Sequence, residues 1–193
     1  KSNSSLVKII ITVMIIGMVV LSIIGFELYK KICKANIRFG DEIEERYIFI
    51  DSDDEFSDLV YMLKSYNLLL DIESFKWVAD KKNYINNIKP GRYFINKDMN
   101  NNELINLLRS GKQSPVKVTF NNIRSLNSVS SKLSSYLEAD SSDILEVFLD
   151  EKFLKKNNFN EYNIISIFIP NTYEFYWNTS ATKLRQRMLK EYK

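Results

Sequence analysis

The chain has 193 residues, no histidine and a single cysteine, Cys33, so His-dependent triads, Cys/His zinc sites and a thiol nucleophile beyond residue 34 are all excluded. Its formal net charge is +3, and residues 1–34 hold five of the lysines against one acid, which leaves the remainder close to neutral and without the basic footprint of a nucleic-acid binder. Carboxylates, hydroxyls, amides and 25 aromatic side chains (11 Tyr, 12 Phe, 2 Trp) are what remain for chemistry, and exposed rings among them suit sugar faces.

The run Ile9 to Phe26 (IIITVMIIGMVVLSIIGF) carries no ionisable side chain over eighteen positions. At 1.5 Å per residue it approaches the roughly 30 Å of a bilayer's hydrocarbon layer, with Lys8 before it and Lys30, Lys31 and Lys34 after it placed to reach headgroups. A buried core helix would show a polar stripe, and a cleaved signal peptide a shorter apolar core with a small-residue cleavage site; no A-x-A pattern follows Phe26. Residues 1–34 are therefore expected to be a cytoplasmic leader and membrane anchor, helical over about 6–29. A literal positive-inside count would leave the C-terminal part in the cytoplasm, but long folded domains translocate with little regard to flanking charge.

A mixed-charge spacer is expected over 35–46. Tyr47 to Ile50 (YIFI) reads as a strand, and Ser52 to Glu55 (SDDE) as a capping box for a helix presenting Phe56, Leu59, Val60 and Leu63. Asp71 caps a second helix through Ile72, Phe75, Val78 and Ala79, and Pro90-Gly91 turns into the strand Arg92 to Ile95. This strand-helix-helix-strand order resembles the LysM module, a small glycan-binding fold. A Leu-rich helix from Asn100 closes at Gly111, completing a subdomain over 47–113.

From 114 to 193 a second domain is expected. Val116 to Phe120 (VKVTF) alternates as a half-buried strand, Asn121-Asn122 turns, and Ser125 caps a helix with Leu126, Val129, Leu133 and Leu137 on one side. Asp143 to Phe153 forms another helix, Ile164 to Ile169 a buried strand ended by Pro170, and Ser180 to Lys193 a last helix with Leu184, Met188 and Tyr192 on one face. The polar residues after Pro170 then emerge at a strand end, where a cleft is commonly lined. Pro170-Asn171 could equally be an ordinary turn with core aromatics after it.

Phe168 to Tyr173 (FIPNTY), followed by Glu174, Phe175 and Trp177, resembles the FPDTY-type motif of the endolytic murein transglycosylases, the MltG or YceG-like family. The single-span anchor, the LysM-like order, Pro90-Gly91-Arg92-Tyr93 ahead of a helix ending in Ser110-Gly111, and VTFNNIR over Val118 to Arg124 agree in the same order. The resemblance implies an α+β protein: an N-terminal transmembrane helix, a LysM-like β-α-α-β subdomain, and the start of a mixed α/β catalytic domain. It further implies attachment to the cytoplasmic membrane, a C-terminal part on the periplasmic or extracellular side, and cleavage of nascent glycan strands between N-acetylmuramic acid and N-acetylglucosamine to 1,6-anhydro ends. Expected partners are peptidoglycan strands, the membrane and cell-wall synthesis proteins; no cofactor or metal is implied. Asn171, Thr172, Tyr173 and Glu174 are the expected lining of the substrate cleft.

Two departures stand out. Asn171 takes the place of the usual aspartate, and Ile165 and Ser166 replace an acidic residue and a glycine. The family's catalytic glutamate belongs to a segment resembling A-S-I-V-E-x-E, which is not found before Lys193, so the chain is expected to be an inactive fragment. A non-catalytic membrane-anchored wall-binding or scaffold protein is the alternative expectation.

Overall fold

The computed structural model describes residues 2–39, 45–121 and 123–193, without the side chains of 2–6 and 45. The middle of the expected spacer (40–44) and Asn122 of the expected turn lie outside the described residues. The fold class is α+β, 53% helix and 14% strand, as read from the sequence. Two compact units interleave along the chain: Lys1–Arg46, Phe56–Ile88 and Ile95–Ser110 form the first, and Tyr47–Glu55, Lys89–Phe94 and Gly111–Lys193 the second.

In the first unit, helix α1 spans Ser2–Cys33 and is long and apolar enough to cross a membrane. Its two hydroxyls inside the apolar run are satisfied within the helix, Thr12 Oγ1 donating to the Lys8 carbonyl and Ser22 Oγ to that of Met18, both at 2.9 Å. A hydroxyl bonded to its own backbone costs little in lipid. Helices α2 (Phe56–Ser65), α3 (Ile72–Lys81) and α4 (Asn101–Ser110) bury Leu59 and Leu63, Phe75 and Val78, and Leu104, Ile105 and Leu108. Asp71 caps α3 as expected, accepting from the Glu73 and Ser74 amides.

Residues 35–39 are not a spacer. The Arg38 amide donates to the Leu68 carbonyl and that of Leu70 to Asn36, while the Asn36 amide donates to Met99. The segment thus runs between two loops and buries Asn36, Ile37 and Phe39. Its hydrophobic content is that of a packed strand, masked in the sequence by the flanking charges.

In the second unit, β1 (Glu45–Ile50) and β2 (Gly91–Asn96) form one two-stranded sheet, and β3 (Val116–Phe120) and β4 (Asn171–Phe175) another. The second sheet is antiparallel, with Val116 opposite Phe175, Val118 opposite Tyr173 and Phe120 opposite Asn171. Helices α5 (Leu126–Ser134), α6 (Ser141–Phe148), α7 (Glu151–Lys156) and α8 (Ala181–Tyr192) complete the unit, with Val118, Phe120, Leu133, Phe148, Ile164, Phe168 and Leu184 in its core. Three local expectations are corrected. The helix expected over 143–153 is two helices, because Asp150 accepts the Phe153 amide at 2.7 Å and starts a new one. Ser52 does not cap α2; its amide and hydroxyl both donate to the Glu138 carboxylate at 2.6 Å. Ile164–Ile167 is a 3-10 turn, not a strand. Asn160 and Asn163 start it by bonding one another's amides reciprocally, at 2.7 and 2.9 Å, and Ile164, Ile167 and Phe168 then fall inward at helical spacing.

Gly91 opens β2 at φ +143°, and a Cβ there would lie 2.2 Å from the Gln113 side chain, which is itself held by donation to the Pro90 carbonyl at 3.1 Å. Gly91→Ala is expected to destabilise the second unit by about 1–3 kcal/mol, read as a lower denaturant midpoint with an unchanged slope.

Candidate functional site

The FIPNTY segment is divided by burial. In β4 the odd positions turn inward and the even ones outward, so Tyr173 is only 5% exposed while Thr172 and Glu174 face solvent. Tyr173 donates its hydroxyl to the Ile169 carbonyl at 3.0 Å and stacks on Phe120 with ring centroids 5.6 Å apart. Burial raises its pKa above the ordinary tyrosine value, with Glu191 adding to the rise and Arg187 opposing it. It is therefore a core residue that shapes the strand, not a cleft-lining one. Of the other three expected residues, Thr172 and Glu174 share the outer face, while Asn171 lies in the inward register opposite Phe120 but at the solvent-exposed start of the strand. Asn171 folds its Oδ1 back on the Thr172 amide at 2.7 Å, the Thr172 and Thr119 hydroxyls bond at 2.8 Å, and Glu174 pairs with Lys117 at 3.5 Å.

That face offers hydroxyls and an ion pair to a polyhydroxylated ligand, with the Asn171 amide at the strand's exposed end beside it. The Glu174 side chain is 56% exposed.

A second surface in the same unit was not visible as a site in the sequence. Tyr47 and Phe49 project from the outer face of β1, 41% and 45% exposed, while Ile48 and Ile50 are buried. Tyr47 meets Phe94 of β2 at 5.4 Å between centroids, Phe49 meets Trp177 edge-on at 5.1 Å, and the Arg92 guanidinium lies 3.7 Å over the Tyr47 ring. The alternation in YIFI was the available signal. It identified a strand, but only the fold brings Trp177 to Phe49.

Backbone contacts fix this aromatic row to the strands around it. The Pro90 carbonyl accepts from Gln113 Nε2 at 3.1 Å and Asn178 Nδ2 at 3.3 Å, the Arg92 carbonyl from the Ser114 amide at 2.8 Å, and the Trp177 carbonyl from the Glu138 amide at 2.8 Å. Tyr93 anchors β2 from beneath, fully buried with its hydroxyl donating to Lys89, and burial pushes its pKa up to about 12. Flat aromatic faces beside polar groups can stack on pyranose rings and hydrogen-bond their hydroxyls.

Among the described residues, Asp51, Asp53 and Asp54 are the carboxylates grouped closely enough to hold a cation, within 4.8 Å of one another. Partial burial raises the Asp51 pKa, and Asp54, Glu138 and Asp53 add repulsion. Asp54 instead spends an oxygen on the Asp51 amide at 2.8 Å, which closes the turn before α2.

The family model described as the YceG-like family matches residues 48–193. A crystal structure of a yceG-like protein from Listeria monocytogenes is similar to this chain at 20% identity and a TM-score of 0.38. The match covers 77% of this chain and 54% of that one, so the chain spans about half the length of that protein. No curated protein matches the chain.

Proposed function

The chain belongs to the YceG-like family, and from that premise we propose that it is the membrane-anchored, glycan-binding part of a lytic transglycosylase acting on peptidoglycan. Its helix α1 tethers the rest of the chain on the periplasmic or extracellular side of the cytoplasmic membrane, where nascent strands and the proteins that synthesise them are found. The observation that carries the reading is the aromatic row formed by the exposed Tyr47 and Phe49 against the half-buried Phe94 and Trp177, in the same unit as the polar outer face of β4. The element order β1, α2, α3, β2 resembles that of a LysM glycan module, although its strands and helices fall in different compact units.

The proposed reaction adds no water. A carboxylic acid protonates the glycosidic oxygen between N-acetylmuramic acid and N-acetylglucosamine, the C1–O bond breaks, and the muramyl C6 hydroxyl closes on C1 while the carboxylate takes its proton. That acid is expected in a segment resembling A-S-I-V-E-x-E, which residues 1–193 do not contain. Residues 47–193 would accordingly hold the strand while the acid acts.

A protein that carries both this chain and that acid, incubated with uncrosslinked glycan strands, should yield 1,6-anhydro ends, whereas residues 47–193 alone should retain strands without cleaving them. Reducing ends from the former would assign a hydrolase, and retention without release a non-catalytic wall-binding protein. Protease added to intact spheroplasts should trim the C-terminal part; protection until lysis would invert the topology and remove the murein reading.

Trp177→Ala should weaken co-sedimentation with purified sacculi roughly two- to tenfold, since a stacked aromatic contributes about 0.5–1.5 kcal/mol beyond its buried area. Trp177 also packs on the core of the second unit, so the loss is read alongside the circular dichroism spectrum, which should stay normal because the backbone bond to Glu138 survives.

A further inference from the structure

Where α1 leaves its apolar run, the first unit contains a cavity of about 240 Å³ walled by Lys30, Lys31 and Lys34 and floored by Asn36, Asp71 and Ser74. The floor is saturated. Asn36 Nδ2 donates to the Asp71 carbonyl at 2.8 Å and to Asn101 Oδ1 at 2.7 Å, and Asn101 Nδ2 donates to Ser74 Oγ and to the Lys31 carbonyl, both at 2.9 Å. Asp71 is a wall of the wrong sign for an anion, but its Oδ1 is taken by the Glu73 and Ser74 amides. Glu27 is taken by Lys30 at 2.5 Å.

Three lysines against Glu27 and Asp71 leave the lining with one net positive charge. Lys31 lies 5.5 Å over the Trp77 ring, and Lys34 has no ion-pair partner among the described residues. At 1.5 Å per helical residue these lysines stand roughly 8 and 12 Å past Phe26, the end of the apolar run, just outside polar layers of about 5–7 Å, so that their long side chains reach back to the phospholipid headgroups. Trp77 beside Lys31 is an aromatic-basic pair of the kind that settles at that interface.

We propose that this cavity binds the phosphate of an anionic phospholipid headgroup, Lys31 and Lys34 supplying the charge. The cavity is below the roughly 300 Å³ of typical ligand pockets and suits a phosphoglycerol head, with the acyl chains running down α1. The inference goes beyond the glycan reading and rests on α1 being a membrane span. Holding a lipid there would orient the first unit on the membrane surface.

The test reconstitutes the full chain into bilayers of equal parts phosphatidylcholine and phosphatidylglycerol, then counts the lipids retained on the released protein by native mass spectrometry. Phosphatidylglycerol should be retained about five- to twenty-five-fold over phosphatidylcholine, from a gain near fivefold for one lysine or for each of the two at an anionic surface. The exposed pair Lys31→Gln/Lys34→Gln should erase that preference, whereas Lys8→Gln, at the other end of α1, should keep it. Equal retention of both lipids, or a preference surviving in the double variant, would overturn the proposal. Displacement of the lipid by millimolar inorganic phosphate would do the same, reassigning the cavity to a free anion. A chain found only in the aqueous fraction would instead remove the membrane span, and this inference with it.

Discussion

Asn36→Ala is expected to lower the stability of the first unit by about 3 kcal/mol, because one side chain there satisfies three groups and each buried group left without a partner costs roughly 1–3 kcal/mol. The wild-type Asn36 Oδ1 accepts the Asp71 amide at 2.7 Å, and its Nδ2 donates to the Asp71 carbonyl and to Asn101. Asn36 is 5% exposed and Asn101 1%, so water cannot readily replace these bonds. The chain provides its own reporters: Trp77 belongs to the first unit and Trp177 to the second. In a Trp177→Phe background, the Trp77 fluorescence transition in denaturant should move to a lower midpoint in Asn36→Ala. Asn36→Asp should recover only the amide contact, since a carboxylate accepts but cannot donate to Asn101. A shift below about 1 kcal/mol would mean that the network is wetter than its burial indicates.

The consequence reaches beyond stability. Asn101 ties the carbonyl of Lys31, in the last turn of α1, to α4, and Asn36 continues that tie to the start of α3. Helix α1 is therefore joined to α3 and α4 by a hydrogen-bonded junction, where the sequence suggested a mixed-charge spacer.

That difference marks where sequence reading reaches its limit. Asp71 as the cap of α3, Gly111 at φ +71° closing α4, and the inward Val116, Val118 and Phe120 of β3 were all legible, because each depends on neighbours within a few residues. Asn36 was not, since its partners lie 35 and 65 residues away. Ser52 carried a valid local capping signal and was drawn off by Glu138. The apolar run 164–169 fitted strand and helix alike by hydrophobicity, and a pair of asparagines decided it. The candidate site divides in the same way. Asn171, Thr172 and Glu174 were found through a local motif, whereas the Phe49–Trp177 contact needs strands far apart in the chain.

Phe120→Ala is expected to remove about 3–5 kcal/mol from the second unit, the cost of truncating a large buried aromatic that its surroundings cannot refill. Phe120 is 1% exposed, and its ring lies 5.3 Å from Phe168 and 5.6 Å from Tyr173. Both neighbours come from the FIPNTY segment, Phe168 packing also on Phe148 of α6 at 5.0 Å. The cavity would open opposite Asn171 in the pairing register and directly beneath the strand whose outer face holds Thr172 and Glu174. The Trp177 transition, followed in a Trp77→Phe background, should therefore shift strongly, and residual glycan retention should fall even where the variant remains folded. Phe120→Leu, which refills most of the volume, should recover the larger part of the stability. If it recovered stability but not retention, the aromatic contact with Tyr173 would be setting the position of β4, beyond merely filling space. Such an outcome would tie the inward half of the motif to the function of its outward half.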